Sequence, residues 1–172
     1  MNTKNIILIG YMGSGKTVIG RNTARLLDYD FADTDEMISE VTGLTLSQLF
    51  RKHGEIRFRS EERLVLKKLA QRQRTVIAFG GSLPPQKEDI DLLVPGFFVM
   101  LTAAPEIIMS RLGRKNNRLL IGGRPSEEKI QQMIEERKLL FGDKICCTID
   151  TGQLTVDEAA EAIAKAYQAW TE

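Results

Sequence analysis

The chain has 172 residues, of which 42% are hydrophobic and 27% charged, so it can form one globular domain with a substantial core. Its 24 Lys and Arg residues nearly balance 23 Asp and Glu residues, and this net charge of +1 argues against a large nonspecific nucleic-acid surface. No signal-peptide pattern and no apolar run of transmembrane length is present, so we expect no membrane contact and a cytoplasmic location. The two cysteines, Cys146 and Cys147, are predicted to be reduced thiols on a buried strand.

The first apolar run, residues 5–10, predicts a buried strand that leads into the glycine-rich loop 10–17, Gly-Tyr-Met-Gly-Ser-Gly-Lys-Thr. A helical pattern follows over residues 18–27, which completes the strand, loop and helix of a phosphate-binding loop. Lys16 is expected to reach the β- and γ-phosphates of a nucleoside triphosphate, and the Thr17 hydroxyl is expected to ligate Mg²⁺. The nucleotide is expected to contact a continuous set of loop residues: Gly13, Ser14, Gly15, Lys16, Thr17 and Val18.

Further apolar runs alternate with helical stretches along the rest of the chain. The strand candidates are residues 30–32, 75–79, 97–101 and 146–149. This alternation predicts an α/β fold with a parallel sheet covered on both faces. The region 34–72 is an exception, because it contains only helical patterns, at 36–41, 46–53 and 55–72. We interpret this region as a helical insertion that binds an acceptor.

Two carboxylates stand directly after the second strand candidate, in the sequence Asp33-Thr34-Asp35. In parallel sheets ligands gather at the carboxyl ends of strands. Asp33 is therefore a candidate to hold Mg²⁺, usually through water, and Asp35 is a candidate base for an attacking hydroxyl group. The alternative is that Thr34 or Asp35 only caps the helix that begins near residue 36.

The long helical stretch 55–72 carries a candidate acceptor clamp. Arg59 and Glu62 share a helix face, so Glu62 can orient the planar guanidinium of Arg59 toward an acceptor carboxylate. A surface ion pair of little energetic value is the alternative. Phe50 and Phe58 either give the acceptor an apolar wall or pack in the core.

A pair of glycines, Gly80 and Gly81, follows the strand candidate 75–79. Glycines at this place allow a backbone N–H to approach a ligand closely. The alternative is a plain turn before Pro84.

Residues 113–126 lack an apolar period and are rich in glycine and cations, which predicts a lid that closes over phosphates. The cations of this loop are Arg114, Lys115, Arg118 and Arg124. Arg111, just before the loop, is expected to lie against an adenine ring. Arg137 on the next helix is a candidate second carboxylate clamp, and the turn at Gln153 is expected to border the nucleotide base.

Together these motifs resemble the shikimate kinase family, and the match runs along nearly the whole chain. The shared elements are the G-x-M-G-x-G-K loop, the D-T-D after strand two, the G-E-x-x-F-R-x-x-E helix at 54–62, the G-G after strand three and an arginine in a basic lid. The resemblance implies a P-loop kinase three-layer sandwich with a five-stranded parallel sheet in the order 2-3-1-4-5. Within a single domain, 1–172, it implies an acceptor-binding subdomain at about 34–72 and a lid at about 113–126.

The resemblance further implies ATP- and Mg²⁺-dependent phosphorylation of the 3-hydroxyl of shikimate, which yields shikimate 3-phosphate and ADP on the route to chorismate and aromatic amino acids. The catalytic residues that it implies are Lys16, Asp35 and Arg118. The metal ligands are Thr17 and Asp33, and the shikimate ligands are Asp35, Arg59, Gly81 and Arg137. Arg111 corresponds to the residue that stacks on adenine. We expect a monomer that acts on a small molecule.

Three regions depart from the family pattern. Ser82 stands where the family usually has a third glycine, and Leu119 stands where its lid usually has a proline. On the helix after the lid, Leu139 and Phe141 replace the usual proline and tyrosine.

Three alternative functions remain open at this point. The first is a kinase of the same fold for another small hydroxy acid, such as gluconate. The second is a nucleotide-binding relative that has lost catalysis, and the third is a P-loop ATPase that drives conformational work.

Overall fold

The structure is a computed structural model that describes residues 4–113 and 124–170. Five parallel strands form one sheet in the order β2-β3-β1-β4-β5, which confirms the expected topology. In chain order the strands are β1 (Ile6–Ile9), β2 (Asp30–Asp33), β3 (Thr75–Ala78), β4 (Phe97–Thr102) and β5 (Ile145–Asp150). Each strand lies within one residue of its sequence prediction at either end.

Helices connect the strands and cover both faces of the sheet. In the described residues they are α1 (Lys16–Leu27), α2 (Thr34–Thr42), α3 (Leu46–Ala70), α4 (Lys87–Asp91), α5 (Pro105–Gly113), α6 (Glu127–Phe141) and α7 (Val156–Trp170). A 3₁₀ turn, Gly142–Lys144, leads into β5. Both α2 and α3 lie between β2 and β3, as the helical patterns predicted. Among the described helices, none combines the length and the apolar character that a membrane span requires.

The central strand β1 divides the core because its side chains alternate between the two faces of the sheet. Ile7 and Ile9 belong to a cluster with the inner faces of α2, α3 and α6. Ile6 and Leu8 belong to a second cluster with α1 and α7. All four side chains are at most 1% exposed, so β1 is held rigidly from both sides, and the loop at its carboxyl end starts from a fixed position.

The prediction that Cys146 and Cys147 lie on a buried strand is wrong. They belong to β5, which is an edge strand in which exposed and half-buried residues alternate. Cys146 is exposed and Cys147 is half-buried, and both are free thiols. Burial is the main cause that raises the pKa of the Cys147 thiol to about 11. An apolar run on an edge strand is covered on one face only, which the sequence pattern did not reveal.

Helix α3 contains a break at Gly54, where the two predicted helices at 46–53 and 55–72 meet. Gly54 has φ 76° and ψ −178°, a conformation that is nearly restricted to glycine. The segment before the break begins at a capping box formed by Thr45 and Gln48. The break redirects the chain, so the segment that carries Arg59 and Glu62 takes its own direction.

We predict that Gly54→Ala lowers the free energy of unfolding by about 1–3 kcal/mol, because alanine is strained in this backbone conformation. A Cβ at this position would meet no atom within 4 Å, so the loss measures backbone strain rather than a steric clash. Gly113→Ala is the matched control, since a Cβ there also meets nothing within 4 Å and the residue belongs to a helix. Urea unfolding followed by circular dichroism measures both variants, and equal stabilities would contradict the prediction.

Candidate active site

A cleft of about 660 Å³ opens at the carboxyl edge of the sheet, where ligands bind in folds of this type. Its walls come from the loop after β1, the β2–α2 junction, the start of α3 and the turn after β3. The sequence motifs predicted the loop after β1, the β2–α2 junction and the turn after β3, and the start of α3 lies within the predicted acceptor-binding region 34–72. The cleft therefore brings together motifs that lie far apart along the chain.

The loop after β1 presents its backbone N–H groups at the start of α1. Gly15 is the N-cap of α1 with φ 102°, and no side chain caps this helix end. The N–H groups of the first turn and the helix dipole therefore favour an anion at this place. The Lys16 ammonium donates to the carbonyl oxygens of Gly10 (2.8 Å) and Tyr11 (3.1 Å), which holds the positive charge against the loop.

Asp33 links the phosphate loop to the start of α2. Its Oδ2 accepts a hydrogen bond of 2.6 Å from the Thr17 hydroxyl. Its Oδ1 accepts the N–H groups of Asp35 (2.9 Å) and Glu36 (3.3 Å), so Asp33 is the N-cap of α2. The alternative that Thr34 or Asp35 serves as the cap is wrong, because the helix begins at Thr34, two residues earlier than the sequence indicated.

The Thr17 and Asp33 oxygens are of the kind that Mg²⁺ prefers. Across residues 4–113 and 124–170, no group of three or more His, Cys, Asp and Glu side chains is arranged as a metal cage. An ion held by few protein oxygens fits Mg²⁺, which keeps several waters and is usually shared with substrate phosphates. The residues that are present therefore fit the metal that the sequence implies.

Asp35 lines the cleft beside the phosphate loop. Loss of hydration raises the pKa of its carboxyl to about 7, and the negative charge of Asp33 acts in the same direction. The Lys16 ammonium opposes this rise, while Glu62 and Glu36 add to it. A carboxyl with a pKa near neutrality can accept a proton from a hydroxyl and release it again under ordinary conditions.

The turn after β3 approaches these groups closely, and Gly81 has no room for a side chain because a Cβ there would lie 2.8 Å from backbone atoms of Gly10 and Met12. A Cβ on Gly80 would lie 2.5 Å from Asp35 Oδ1, and a Cβ on Gly81 would lie 2.6 Å from Lys16 Nζ. The Gly80 N–H donates to the Thr34 hydroxyl oxygen at 2.8 Å. Thr34 therefore fixes the turn against β2, a role that the sequence analysis missed and that no local pattern indicated.

Arg59 is oriented by Glu62, as the helical spacing predicted. The guanidinium donates to Glu62 Oε2 at 3.0 Å, and the Glu62 side chain is 4% exposed. A second donation, of 2.8 Å, runs to the Pro84 carbonyl oxygen. This pair is largely buried rather than on the surface. Arg59 does not line the cleft in this structure but lies behind the turn that does.

Phe50 and Phe58 do not form a wall of the cleft. Phe58 is 1% exposed and belongs to the core, and Phe50 packs edge-on against it with ring centroids 6.5 Å apart. Core packing is therefore correct for Phe58, whereas Phe50 is half-buried and packs against the core from outside it.

Arg137 is almost completely buried, at 2% exposure, and makes no ion pair within the described part of the chain. Its Nη2 donates to the Gly81 carbonyl oxygen at 2.7 Å, and its guanidinium lies over the Tyr11 ring, 5.2 Å from the centroid. Burial lowers the pKa of Arg137 to about 10, so the side chain is still a cation at neutral pH. The structure thus keeps an uncompensated positive charge beside the turn.

Arg111 connects the phosphate loop to the end of β5. It donates to the Gly13 carbonyl oxygen at 3.0 Å and to the hydroxyl and carbonyl oxygens of Thr151 at 2.9 Å each. The Thr151 hydroxyl donates in turn to the Ser14 carbonyl oxygen at 2.7 Å. Thr151 is a further residue that the sequence analysis missed, although its place at the carboxyl end of a strand was a usable signal.

The remaining predicted site residues are less central in this structure. Val18 lines the cleft, whereas Gln153 is exposed on the turn after β5 and does not line it. Arg118 and Leu119 lie outside the described residues.

Comparison with known proteins gives one consistent result. The family model described as shikimate kinase matches residues 12–168. A shikimate kinase of Pelotomaculum thermopropionicum is 43% identical over 161 residues, which cover 93% of each chain. The solved structure of shikimate kinase from Acinetobacter baumannii in complex with shikimate superposes with a TM-score of 0.88 at 34% identity, covering 97% of this chain and 94% of that one.

A more distant structure shares the fold alone. A sugar kinase from Janibacter sp. HTCC2649 superposes with a TM-score of 0.59 at 18% identity, covering 98% of this chain and 94% of that one. Identity at this level gives no information on the substrate. The cleft, the glycine turn and the family match over residues 12–168 instead agree with one another, and this chain belongs to the shikimate kinase family of ATP- and Mg²⁺-dependent phosphotransferases.

Proposed function

We propose that the described cleft performs the family's reaction, the transfer of the γ-phosphoryl group of ATP to the 3-hydroxyl of shikimate, with the residue roles that follow. The observation that carries these roles is the buried guanidinium of Arg137, which has no ion-pair partner in the described chain. It donates to the Gly81 carbonyl oxygen, and Arg59 donates to the Pro84 carbonyl oxygen of the same turn. Two cations at a turn that also contacts Lys16 and Asp35 suit an acceptor with a carboxylate at one end and a hydroxyl at the other. Gluconate shares this chemistry, but the relatives that match most of the chain are shikimate kinases.

The donor half of the reaction belongs to the loop after β1. Residues 13–18 would hold the phosphates through backbone N–H groups, and Lys16 would neutralise charge that develops on them. Thr17 and Asp33 would hold Mg²⁺ through oxygen ligands, and their mutual hydrogen bond of 2.6 Å keeps these oxygens together. When bound, Mg²⁺ and ATP supply an electrophilic phosphoryl group. Arg111 and Gln153 are proposed to border the nucleotide base.

The acceptor half belongs to the β2–α2 junction and the turn after β3. Asp35 would orient the acceptor hydroxyl groups and accept the proton of the attacking one. The Gly81 N–H makes no hydrogen bond within the described chain and is therefore available to the acceptor. Arg59 and Arg137 would exchange one of their bonds to backbone carbonyl oxygens for a bond to the acceptor carboxylate, which makes a stronger, charge-assisted hydrogen bond.

The organisation around this cleft is also part of the proposal. We propose that residues 34–72 act as an acceptor-binding subdomain, that residues 113–126 act as a lid with Arg118 as its catalytic cation, and that the chain is a cytoplasmic monomer. The backbone break at Gly54, which separates the two segments of α3, supports the proposal that this region forms a subdomain. Light scattering tests the monomer, which requires a mass of 19.3 kDa in solution.

The first prediction of this proposal concerns the acceptor. A coupled ADP-release assay with Mg·ATP and shikimate, quinate or gluconate should give the highest kcat/KM for shikimate, and EDTA should abolish the activity. Absence of turnover above background with shikimate would contradict the proposed reaction. A higher kcat/KM for gluconate would favour the alternative acceptor.

The second prediction concerns the role of Asp35 in turnover. Asp35→Asn should lower kcat by about 10²–10⁴-fold with ATP affinity nearly unchanged, because the amide cannot accept the proton. In the unsubstituted chain, kcat/KM at low concentrations of both substrates should fall about tenfold per pH unit below about pH 7, where Asp35 becomes protonated. The residual kcat/KM of the Asp35→Asn variant should not fall in this way below about pH 7. An unchanged rate would exclude Asp35 from the mechanism.

The third prediction concerns stability and Asp35. The pKa of Asp35 is raised in the folded chain, so the folded state binds this proton more tightly than the unfolded state, and ionisation costs stability as the pH rises. Asp35→Asn should therefore unfold at higher urea concentration than the unsubstituted chain above pH 7. The difference in the free energy of unfolding between Asp35→Asn and the unsubstituted chain, on the order of 1–3 kcal/mol above pH 7, should shrink toward pH 4. A constant advantage across this range would contradict the assignment.

The fourth prediction concerns Arg59. Arg59→Ala should raise the KM for shikimate by at least about tenfold while leaving the KM for ATP nearly unchanged, because the loss of a charge-assisted contact costs about 1.5–3 kcal/mol. Arg57→Ala is the matched control, since Arg57 lies on the same helix but is 58% exposed and pairs with Glu61. A selective loss of ATP affinity in the Arg59 variant would contradict the role.

A further inference from the structure

The turn after β3 carries one feature that the roles above do not use. Its first two positions are Gly80, where a Cβ would lie 2.5 Å from Asp35 Oδ1, and Gly81, where a Cβ would lie 2.8 Å from backbone atoms of Gly10 and Met12. Its third position is Ser82, where the family usually has glycine, and Ser82 lines the cleft and is half-buried there. The first side chain that this turn presents to the cleft is therefore that of Ser82.

Ser82 stands between the backbone groups that hold both arginines. The carbonyl oxygen on its N-terminal side, that of Gly81, accepts from Arg137 at 2.7 Å. The carbonyl oxygen of Pro84, two residues further on, accepts from Arg59 at 2.8 Å. Neither guanidinium lines the cleft, whereas Ser82 does. Ser82 thus lines the cleft directly beside the carbonyl group that holds Arg137 and two residues before the one that holds Arg59.

The Ser82 hydroxyl makes no hydrogen bond to any described residue. A hydroxyl at a turn ordinarily bonds to nearby backbone groups, and this one does not. It follows directly in the chain the carbonyl group that holds Arg137, and its donor is not engaged by any residue that the structure describes, so it can be offered to an anion.

We propose that the Ser82 hydroxyl donates a hydrogen bond to the carboxylate of the acceptor and so forms, with Arg59 and Arg137, a three-point site for that group. This inference rests on the proposed function, in which the two arginines bind the acceptor carboxylate. Ser82 is then a residue that determines acceptor affinity in this chain, by a contact that glycine cannot make.

The test compares Ser82→Ala and Ser82→Gly with the unsubstituted chain. Both variants should raise the KM for shikimate and the dissociation constant for shikimate measured by calorimetry without nucleotide, each by about tenfold, the loss expected for a hydrogen bond to a charged group. The values of kcat and of the KM for ATP should remain within about twofold. Ser82→Thr, which keeps the hydroxyl, should restore part of the affinity. Ser60→Ala, at an exposed serine of α3, is the matched control and should change none of these quantities.

A second acceptor identifies the group that Ser82 contacts. With the methyl ester of shikimate, whose neutral oxygens accept a weaker hydrogen bond than a carboxylate does, Ser82→Ala should lower the affinity clearly less than it does with shikimate. An equal effect of Ser82→Ala on shikimate and on its ester would overturn the assignment to the carboxylate. Unchanged or improved shikimate affinity in both Ser82→Ala and Ser82→Gly would overturn the contact altogether.

The failure of this inference is distinguishable from the failure of the proposed function. If the unsubstituted chain gives no shikimate-dependent release of ADP, the proposed function fails and the inference fails with it. If the unsubstituted chain turns shikimate over and the Ser82 variants behave like it, only the inference fails.

Discussion

The close approach of the glycine turn to Lys16 and Asp35 is the constraint on which the rest of the site depends. β1, β2 and β3 are neighbours in the sheet, so their carboxyl ends deliver the phosphate loop, the two carboxylates and the turn to one point. A side chain at Gly81 would collide with backbone atoms of the phosphate loop, since its Cβ would lie 2.8 Å from the Gly10 carbonyl oxygen and the Met12 backbone nitrogen. The hydrogen bond between the Gly80 N–H and Thr34 holds the turn at this distance. Donor and acceptor groups are thereby positioned before any ligand arrives, which is how a kinase lowers the entropic barrier to transfer.

The buried charges of the site lower the stability of the folded state. Desolvation raises the pKa of Asp35 and lowers that of Arg137, so each charged form is less stable here than in water. Glu62 forms an ion pair with Arg59, whereas no carboxylate in the described chain lies within ion-pair distance of Arg137. Such groups are ordinarily removed from a core unless they have a function. The acceptor carboxylate that we propose for Arg137 would supply the missing negative charge and would so couple substrate binding to local stability.

The sequence patterns were most informative where local chemistry is restrictive. The phosphate loop, the strand bounds and the break at Gly54 were all predictable, because each depends on glycine conformation or on a short apolar run. The patterns were wrong where the outcome depends on partners distant in sequence. The cysteines of β5 lie on an edge strand, and Asp33 rather than Thr34 or Asp35 caps α2. Thr34 carries a structural hydrogen bond that no local pattern distinguishes from those of other threonines.

By itself the sequence determined the class of fold, the phosphate loop and, through the resemblance of its motifs, the family. These features follow from residues that are adjacent in the chain, where spacing and side-chain type are directly legible. Only the tertiary structure decided that Gly81 has no room for a side chain, that Arg137 is buried without an ion-pair partner in the described chain, and that Ser82 stands between two arginine contacts along the turn. Those facts depend on atoms brought together by the packing of α3, α6 and the sheet, and side-chain burial and hydrogen-bond partners are set by that packing rather than by sequence neighbours.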